Sequence, residues 1–189
     1  MNVFQKILND CNKCPFEDYV INWYDEKTGC GKLGVHIYPE SDNTIMVVGQ
    51  NPSHKRDKEE HSMKGRQGDV FREIFGKGHL VFSNLIQVST PDNKVDYFSD
   101  EQIRHCFNHL LFEVETLKPK VIIICSSFAE KRLKSLDLVN NLLRWNSKLF
   151  FVKHPDYYQI YHREPMKNYY KILYKIKNDY VYDKRGIKK

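Results

Sequence analysis

The chain has 189 residues, of which 41% are hydrophobic and 13% aromatic, so it is long and apolar enough to fold around one sizeable core. Its formal net charge of +6 suits a polyanionic partner such as nucleic acid but does not identify one. The longest apolar run is far too short to cross a membrane, and the first ten residues lack the features of a signal peptide. We therefore expect one domain over residues 1–189, monomeric, without a membrane segment, and cytoplasmic or at least intracellular.

The N-terminal segment, about residues 1–40, differs in composition from the remainder. It holds Cys11, Cys14 and Cys30 among polar residues and glycines. The total of five cysteines is odd, which argues against a secreted disulfide framework and leaves metal ligation open. This segment is interpreted as one held in place by a metal cluster or by packing, not by a long helix or strand.

Four short apolar runs follow along the chain, and each predicts a β-strand. They cover residues 45–48, 80–88, 121–125 and 149–152. Apolarity in these runs is continuous and does not alternate, which is typical of parallel strands buried on both faces of a sheet.

Helical patterns lie between these strands. The clearest covers residues 100–117; Ser99 and Gln102 have capping-box spacing at its start, and Pro119 follows its end. Weaker patterns cover residues 69–75, 128–143 and 166–176. Strands that alternate with helices predict an α/β fold, a three-layer α/β/α sandwich with a central, mainly parallel four-stranded sheet.

Polar residues gather where the predicted strands end. Residues 49–53 follow the first strand, Ser126 and Ser127 end the third, and His154 follows the fourth, while Asn84 lies within the second. Each feature alone is also compatible with a turn or a structural residue. Ligands of open parallel sheets bind beyond the carboxyl ends of the strands, however, so together these residues predict a ligand site at one edge of the sheet.

The motifs of this chain and their order along it resemble those of the uracil-DNA glycosylase superfamily, and most closely its iron–sulfur branch. The resemblance extends from Cys11 to about Tyr161. Its parts are the Cys-x-x-Cys-Pro of residues 11–15, the water-activating motif at 49–53, the loop at 63–68, Ser83-Asn84, Cys106, the stretch at 117–123 and His154-Pro155.

The resemblance implies a DNA glycosylase that flips a damaged, deaminated or modified base out of DNA and hydrolyses its N-glycosidic bond. Asn51 would hold the attacking water, and His154 would stabilise charge on the departing base. The base would be bound by Gly49, Gln50, Met63, Phe71 and Asn84. The DNA would be contacted by Ser53, Lys64, Arg66, Ser127, Lys153, Tyr157, Tyr158, Tyr161 and Arg163.

The resemblance also implies a structural [4Fe–4S] cluster. Its ligands would be Cys11, Cys14, Cys30 and Cys106. Val88 stands where the family has its third cluster cysteine, and Cys30 belongs to an insertion, so zinc and complete loss of the metal remain open as alternatives. The remaining cysteine, Cys125, lies in an apolar run and is interpreted as a small core residue.

Two further departures bear on the substrate. Asn51 replaces the family's acidic residue, and an amide can orient a water but is not a strong general base. Met63 occupies the position of the stacking aromatic residue, and Phe71 or Phe82 is the alternative for that role.

Three functions remain open at this stage. The first is repair of uracil or a related deaminated base. The second is excision of a modified base, for instance in phage attack or antiphage defence, which Met63, Asn51 and the Cys30 insertion favour. The third is a non-catalytic DNA-binding or inhibitory module with the same fold; the joint presence of Asn51, Asn84 and His154 argues against it, since a pure binder needs none of them.

Overall fold

The structure is a computed structural model. It describes residues 45–51, 66–76, 79–87, 94–161 and 164–181, and the structural statements below concern these residues.

A sheet of four strands forms the centre of the described part of the chain. The strands are β1 (Ile45–Gly49), β2 (Leu80–Asn84), β3 (Val121–Ile124) and β4 (Lys148–Phe151). Their order is β2-β1-β3-β4, and each adjacent pair is parallel. The predicted four-stranded parallel sheet is therefore confirmed.

Helices cover both faces of this sheet. They are α1 (Arg66–Phe75), α2 (Asp100–Leu117), α3 (Ser127–Ser135), α4 (Val139–Leu142), α5 (Pro155–Gln159) and α6 (Met166–Ile176), and α6 continues into a π-helical turn at Lys177–Val181. Apolar residues of α2, α3 and α4 pack on one face of the sheet, and those of α1 and α6 pack on the other. These are the three predicted α/β/α layers. No helix in the described ranges combines the length and apolarity needed to span a membrane.

Helix α2 has the predicted bounds because both of its ends are capped. The Ser99 hydroxyl accepts from the Gln102 amide N–H at 3.2 Å, and the Gln102 side chain accepts from the Ser99 N–H at 2.8 Å. Lys118 then takes a left-handed conformation with φ 45°, and Pro119 follows it. This reciprocal capping box satisfies backbone donors that the first turn leaves unpaired.

Three predicted elements differ from those in the structure. The expected helix over 128–143 is broken between α3 and α4, because Asp137 adopts φ 55° while the leucines on either side of it are buried. Strand β2 ends at Asn84; the next two residues are buried and their N–H groups donate to the carbonyls of Gly49 and Gln50, but they are not part of the strand. Strand β4 is partly exposed where burial on both faces was expected, since it lies at an edge of the sheet.

The strand order determines where a ligand can bind. From β1 the chain crosses to β2 on one side, and β3 lies on the other side of β1. The connections that follow β1 and β3 therefore leave the sheet in opposite directions. In parallel α/β sheets such a switch point opens a crevice beyond the carboxyl ends of the two strands. Gln50 and Asn51 follow β1 and Ser126-Ser127 follow β3, so both pairs border this switch point.

Candidate active site

The ends of β1 and β2 are held side by side at the carboxyl edge of the sheet. Gly49 is in register with Asn84. Beyond the strands, the Leu85 N–H donates to the Gly49 carbonyl at 3.1 Å, and the Ile86 N–H donates to the Gln50 carbonyl at 2.9 Å. Asn84 is only 6% exposed, so its amide is buried and not in bulk solvent.

Gln50 and Asn51 follow β1 as a half-buried pair. The Gln50 Nε2 donates to the Asn51 Oδ1 at 3.2 Å. This contact fixes the orientation of the Asn51 amide. An amide held in this way can orient a water molecule, although it cannot take up a proton as a carboxylate does.

His154 is the N-cap residue of α5. Its Nδ1 accepts a hydrogen bond from the Asp156 N–H at 3.2 Å, and Pro155 occupies the first turn of the helix. Since Nδ1 is the acceptor, the neutral imidazole carries its proton on Nε2. The side chain is about one third exposed, and it therefore presents an N–H donor at the carboxyl end of β4.

Asp156 connects this histidine turn to α1. The Gln67 Nε2 donates to both carboxylate oxygens of Asp156, at 3.0 and 3.1 Å. Oδ2 of Asp156 lies 3.4 Å from the Nδ1 of His154. The sequence predicted no role for Gln67 or Asp156, since no local pattern relates two residues 89 positions apart.

Two predicted contact residues lie in the aromatic core beneath this edge. Phe71 is fully buried, with its ring centroid 6.2 Å from Phe82 and 6.3 Å from Tyr169. Tyr158 is 4% exposed, with its ring centroid 4.7 Å from that of Tyr169. Both rings are packed in the core. The assignment of Phe71 to base contact and of Tyr158 to DNA contact stays a prediction.

Other predicted DNA contacts lie on the surface. Arg66, Ser127 and Lys153 are exposed, and Tyr161 is 66% exposed. The Lys153 ammonium lies 4.9 Å from the centre of the half-buried Tyr157 ring. Cations and an accessible aromatic ring thus flank the histidine turn, an arrangement suited to phosphates and an unstacked base.

The cysteines are only partly described. Cys106 is buried on α2. Cys125 is a core residue, as predicted: its Sγ donates to the Val48 carbonyl at 3.4 Å, and burial raises the pKa of its thiol to about 12. In the described ranges, no three His, Cys, Asp or Glu residues are grouped so that they could hold a metal.

Several predicted site residues lie outside the described residues. They are Ser53, Met63, Lys64, Arg163, Cys11, Cys14 and Cys30.

Comparison with known proteins identifies a family and a relative. The family model described as the uracil DNA glycosylase superfamily matches residues 35–176, a range that contains all four strands. The type-4 uracil-DNA glycosylase of Pyrobaculum aerophilum is 25% identical over 136 residues, which cover 69% of this chain and 63% of that protein. The chain thus spans less than two thirds of the length of this relative.

Proposed function

Because the chain belongs to the uracil DNA glycosylase superfamily, we propose that it is a DNA glycosylase that flips a damaged, deaminated or modified base out of DNA and hydrolyses its N-glycosidic bond. The observation that carries the proposal is the placement of Asn51, Asn84 and His154 at the carboxyl ends of β1, β2 and β4. The same edge carries the crevice where the strand order reverses. The similarity to a type-4 uracil-DNA glycosylase supports the reaction class.

Base flipping is the first step of the proposed reaction. The glycosidic bond is inaccessible within stacked duplex DNA, and unstacking costs a few kcal/mol, least for a mismatched or damaged base. Contacts from Arg66 and Lys153 to phosphates would offset part of this cost, and the exposed Tyr161 ring would stack in the gap. The partner is therefore DNA, with an intracellular location following from it.

Bond cleavage is the second step. As the C1′–N bond breaks, negative charge develops on the base and positive charge on the sugar. The His154 Nε2–H would donate to the base oxygen that gains charge, and one such donor supplies about 2.7–4 kcal/mol of transition-state stabilisation. Asn51, held by Gln50, would orient the water that adds to the sugar cation.

A panel of DNA duplexes, each with one altered base, tests the proposal directly. We expect the protein to leave an abasic site at one or more of these bases, detected as strand cleavage after alkali. The set should include uracil, other deaminated bases and bulkier modified bases, because Asn51 in place of a carboxylate favours a substrate other than plain uracil. If the protein binds DNA but releases no base from any duplex, the chain is a DNA-binding module with a glycosylase fold.

The structural [4Fe–4S] cluster is a separate proposal. Cys106 is the described candidate ligand, on α2, and the others are Cys11, Cys14 and Cys30. The cluster would anchor the N-terminal segment to α2 and take no part in the reaction.

Anaerobic purification tests the cluster. We expect about four iron atoms per chain with charge-transfer absorption in the visible range. Cys106→Ser should lose most of this iron, whereas Cys125→Ser, which changes a core thiol, should retain it. Zinc in place of iron would identify a four-cysteine zinc site, and protein without either metal would rule out both.

A further inference from the structure

Two groups of Asp156 lie beside the same ring nitrogen of His154. The Asp156 backbone N–H donates to Nδ1 at 3.2 Å, while Oδ2 of the Asp156 carboxylate lies 3.4 Å from Nδ1. Nδ1 can accept from the N–H only when it carries no proton, and it can donate to the carboxylate only when it carries one. The backbone and the side chain of Asp156 therefore favour different protonation states of the imidazole.

The outcome of this competition decides what His154 can donate to a base. A neutral imidazole has one ring proton, and the partner of one nitrogen determines whether the other is protonated. With the proton on Nε2, His154 has the donor that the proposed reaction requires. With the proton on Nδ1, a lone pair on Nε2 would face the base oxygen that gains negative charge. The availability of the Asp156 carboxylate to Nδ1 thus bears directly on catalysis.

Gln67 of α1 binds this carboxylate from the side of a different helix. Its Nε2 donates to Oδ1 of Asp156 at 3.0 Å and to Oδ2 at 3.1 Å. The oxygen beside Nδ1 of His154 is therefore already hydrogen-bonded, and at a shorter distance than the 3.4 Å that separates it from Nδ1. Hydrogen bonds to an ionised acceptor are stronger than those between neutral groups. Gln67 thus occupies the carboxylate and favours the backbone N–H as the partner of Nδ1.

Apolar contacts hold α1 in place independently of this hydrogen bond. Phe71, one turn beyond Gln67, is fully buried, and its ring centroid lies 6.3 Å from that of Tyr169 on α6. Ile74 and Phe75 of α1 are buried in the same core cluster. Gln67 itself is only half-buried. Its amide can therefore be removed while the buried apolar surface of α1 keeps the helix against the sheet.

We propose that Gln67 is a positioning residue for base excision, which binds the Asp156 carboxylate and thereby keeps the ring proton of His154 on Nε2. The inference rests on the proposed function, in which the Nε2–H of His154 donates to the departing base. It does not require Gln67 to touch DNA. Because Gln67 acts through the carboxylate, its loss should matter only while residue 156 carries one. This condition separates the proposed role from a general contribution to folding.

The test is a double-mutant cycle of Gln67→Met and Asp156→Asn. Methionine is a good helix former of similar length but lacks the amide donors. The first readout is the pair of His154 ring resonances in ¹⁵N NMR, assigned by their loss in His154→Asn. The spectra are recorded without DNA at about pH 8.5, where a histidine with the ordinary pKa of about 6.5 is neutral.

In the wild type we expect the ring proton of His154 on Nε2. In Gln67→Met it should shift in part or wholly to Nδ1, because the freed carboxylate can then accept from Nδ1–H. In the double variant it should return to Nε2, because the amide of Asn is a weaker acceptor than a carboxylate. Gln159→Ala, which changes a half-buried glutamine of α5, is the matched control and should give the wild-type ring spectrum.

The second readout is the single-turnover excision rate for the best base of the panel at the same pH. Gln67→Met should lower this rate by on the order of tenfold, the effect of one hydrogen bond to a charged group. In the Asp156→Asn background the same substitution should change it by no more than about twofold.

Three outcomes overturn the proposal: a wild-type ring with its proton on Nδ1, a ring proton that does not move in Gln67→Met, or an equal loss of rate in both backgrounds. A ring proton that shifts in Gln67→Met and returns in the double variant, in a protein that excises no base, supports the control of His154 by Gln67. That result would overturn the glycosylase function instead.

Discussion

Replacing His154 by alanine is expected to slow base excision in single-turnover assays by about 10²–10³-fold, the effect of removing one well-placed donor from a developing anion. The hydrogen bond at Nδ1 indicates which nitrogen would donate. Since Nδ1 of His154 accepts from the Asp156 N–H, the proton available to the base is on Nε2. Binding to DNA that contains the substrate base should change little, because the proposed phosphate contacts involve other residues.

A second variant separates catalysis from helix capping. Asparagine is a favoured N-cap residue, so His154→Asn can still accept from the Asp156 N–H, but it lacks a donor at the position of Nε2. We expect His154→Asn to have the same free energy of unfolding as the wild type. Its rate of base excision should be as low as that of His154→Ala. The alanine variant should additionally lose about 1 kcal/mol of stability with the cap. His79→Ala, at the opposite end of β2, is the matched histidine control and should excise normally. Wild-type rates in both His154 variants would refute the assignment of His154.

Substitution of Asn84 should change which base is removed more than how tightly DNA is bound. A site that hydrogen-bonds a polar edge can reject an analogue lacking that edge by about 10⁴–10⁵-fold, because buried polar groups are otherwise left unpaired. Asn84 is 6% exposed and matches this description. In Asn84→Ala we expect the ratio between best and second-best bases to fall by up to about 10⁴-fold.

The direction of the change can also be predicted for Asn84→Asp. An amide offers both a donor and an acceptor, whereas a carboxylate offers acceptors alone. The aspartate variant should therefore disfavour bases with a carbonyl at the recognised edge and favour those with an amino group there. Competition between paired duplexes measures this shift. Asn108→Ala, an exposed asparagine of α2, is the matched control. If Asn84→Ala ranks the bases as the wild type does, another residue reads the base.

Local sequence patterns were sufficient to predict the bounds of α2 and the presence of the sheet. The capping box of Ser99 and Gln102 and the conformation of Lys118 depend on residues within one helical turn, so the predicted bounds of α2 are confirmed. The continuous apolar run of β1 likewise predicted a strand buried on both faces. Membership of the superfamily followed from the order of several motifs, which the family match over residues 35–176 confirms.

Other features depend on contacts between distant parts of the chain. An apolar run does not reveal its place in a sheet, so the partial exposure of β4 followed from its edge position. The contact between Gln67 and Asp156 arises only when separate elements pack together. Phe71 likewise has an aromatic ring suited to stacking on a base, yet tertiary packing buries it against Tyr169.

The sequence by itself therefore determined the strands, the capped helix and the polar residues that follow the strands, because each depends on neighbours along the chain. Only the tertiary structure decided which of these residues meet. Strand order places β1 between β2 and β3, and this order puts the Asn84 carbonyl at an open edge where Gln87 binds it. It also places α2 behind that strand, where burial raises the pKa of the Glu113 carboxyl to about 8. Burial and pairing depend on all three layers together, and no local pattern encodes them.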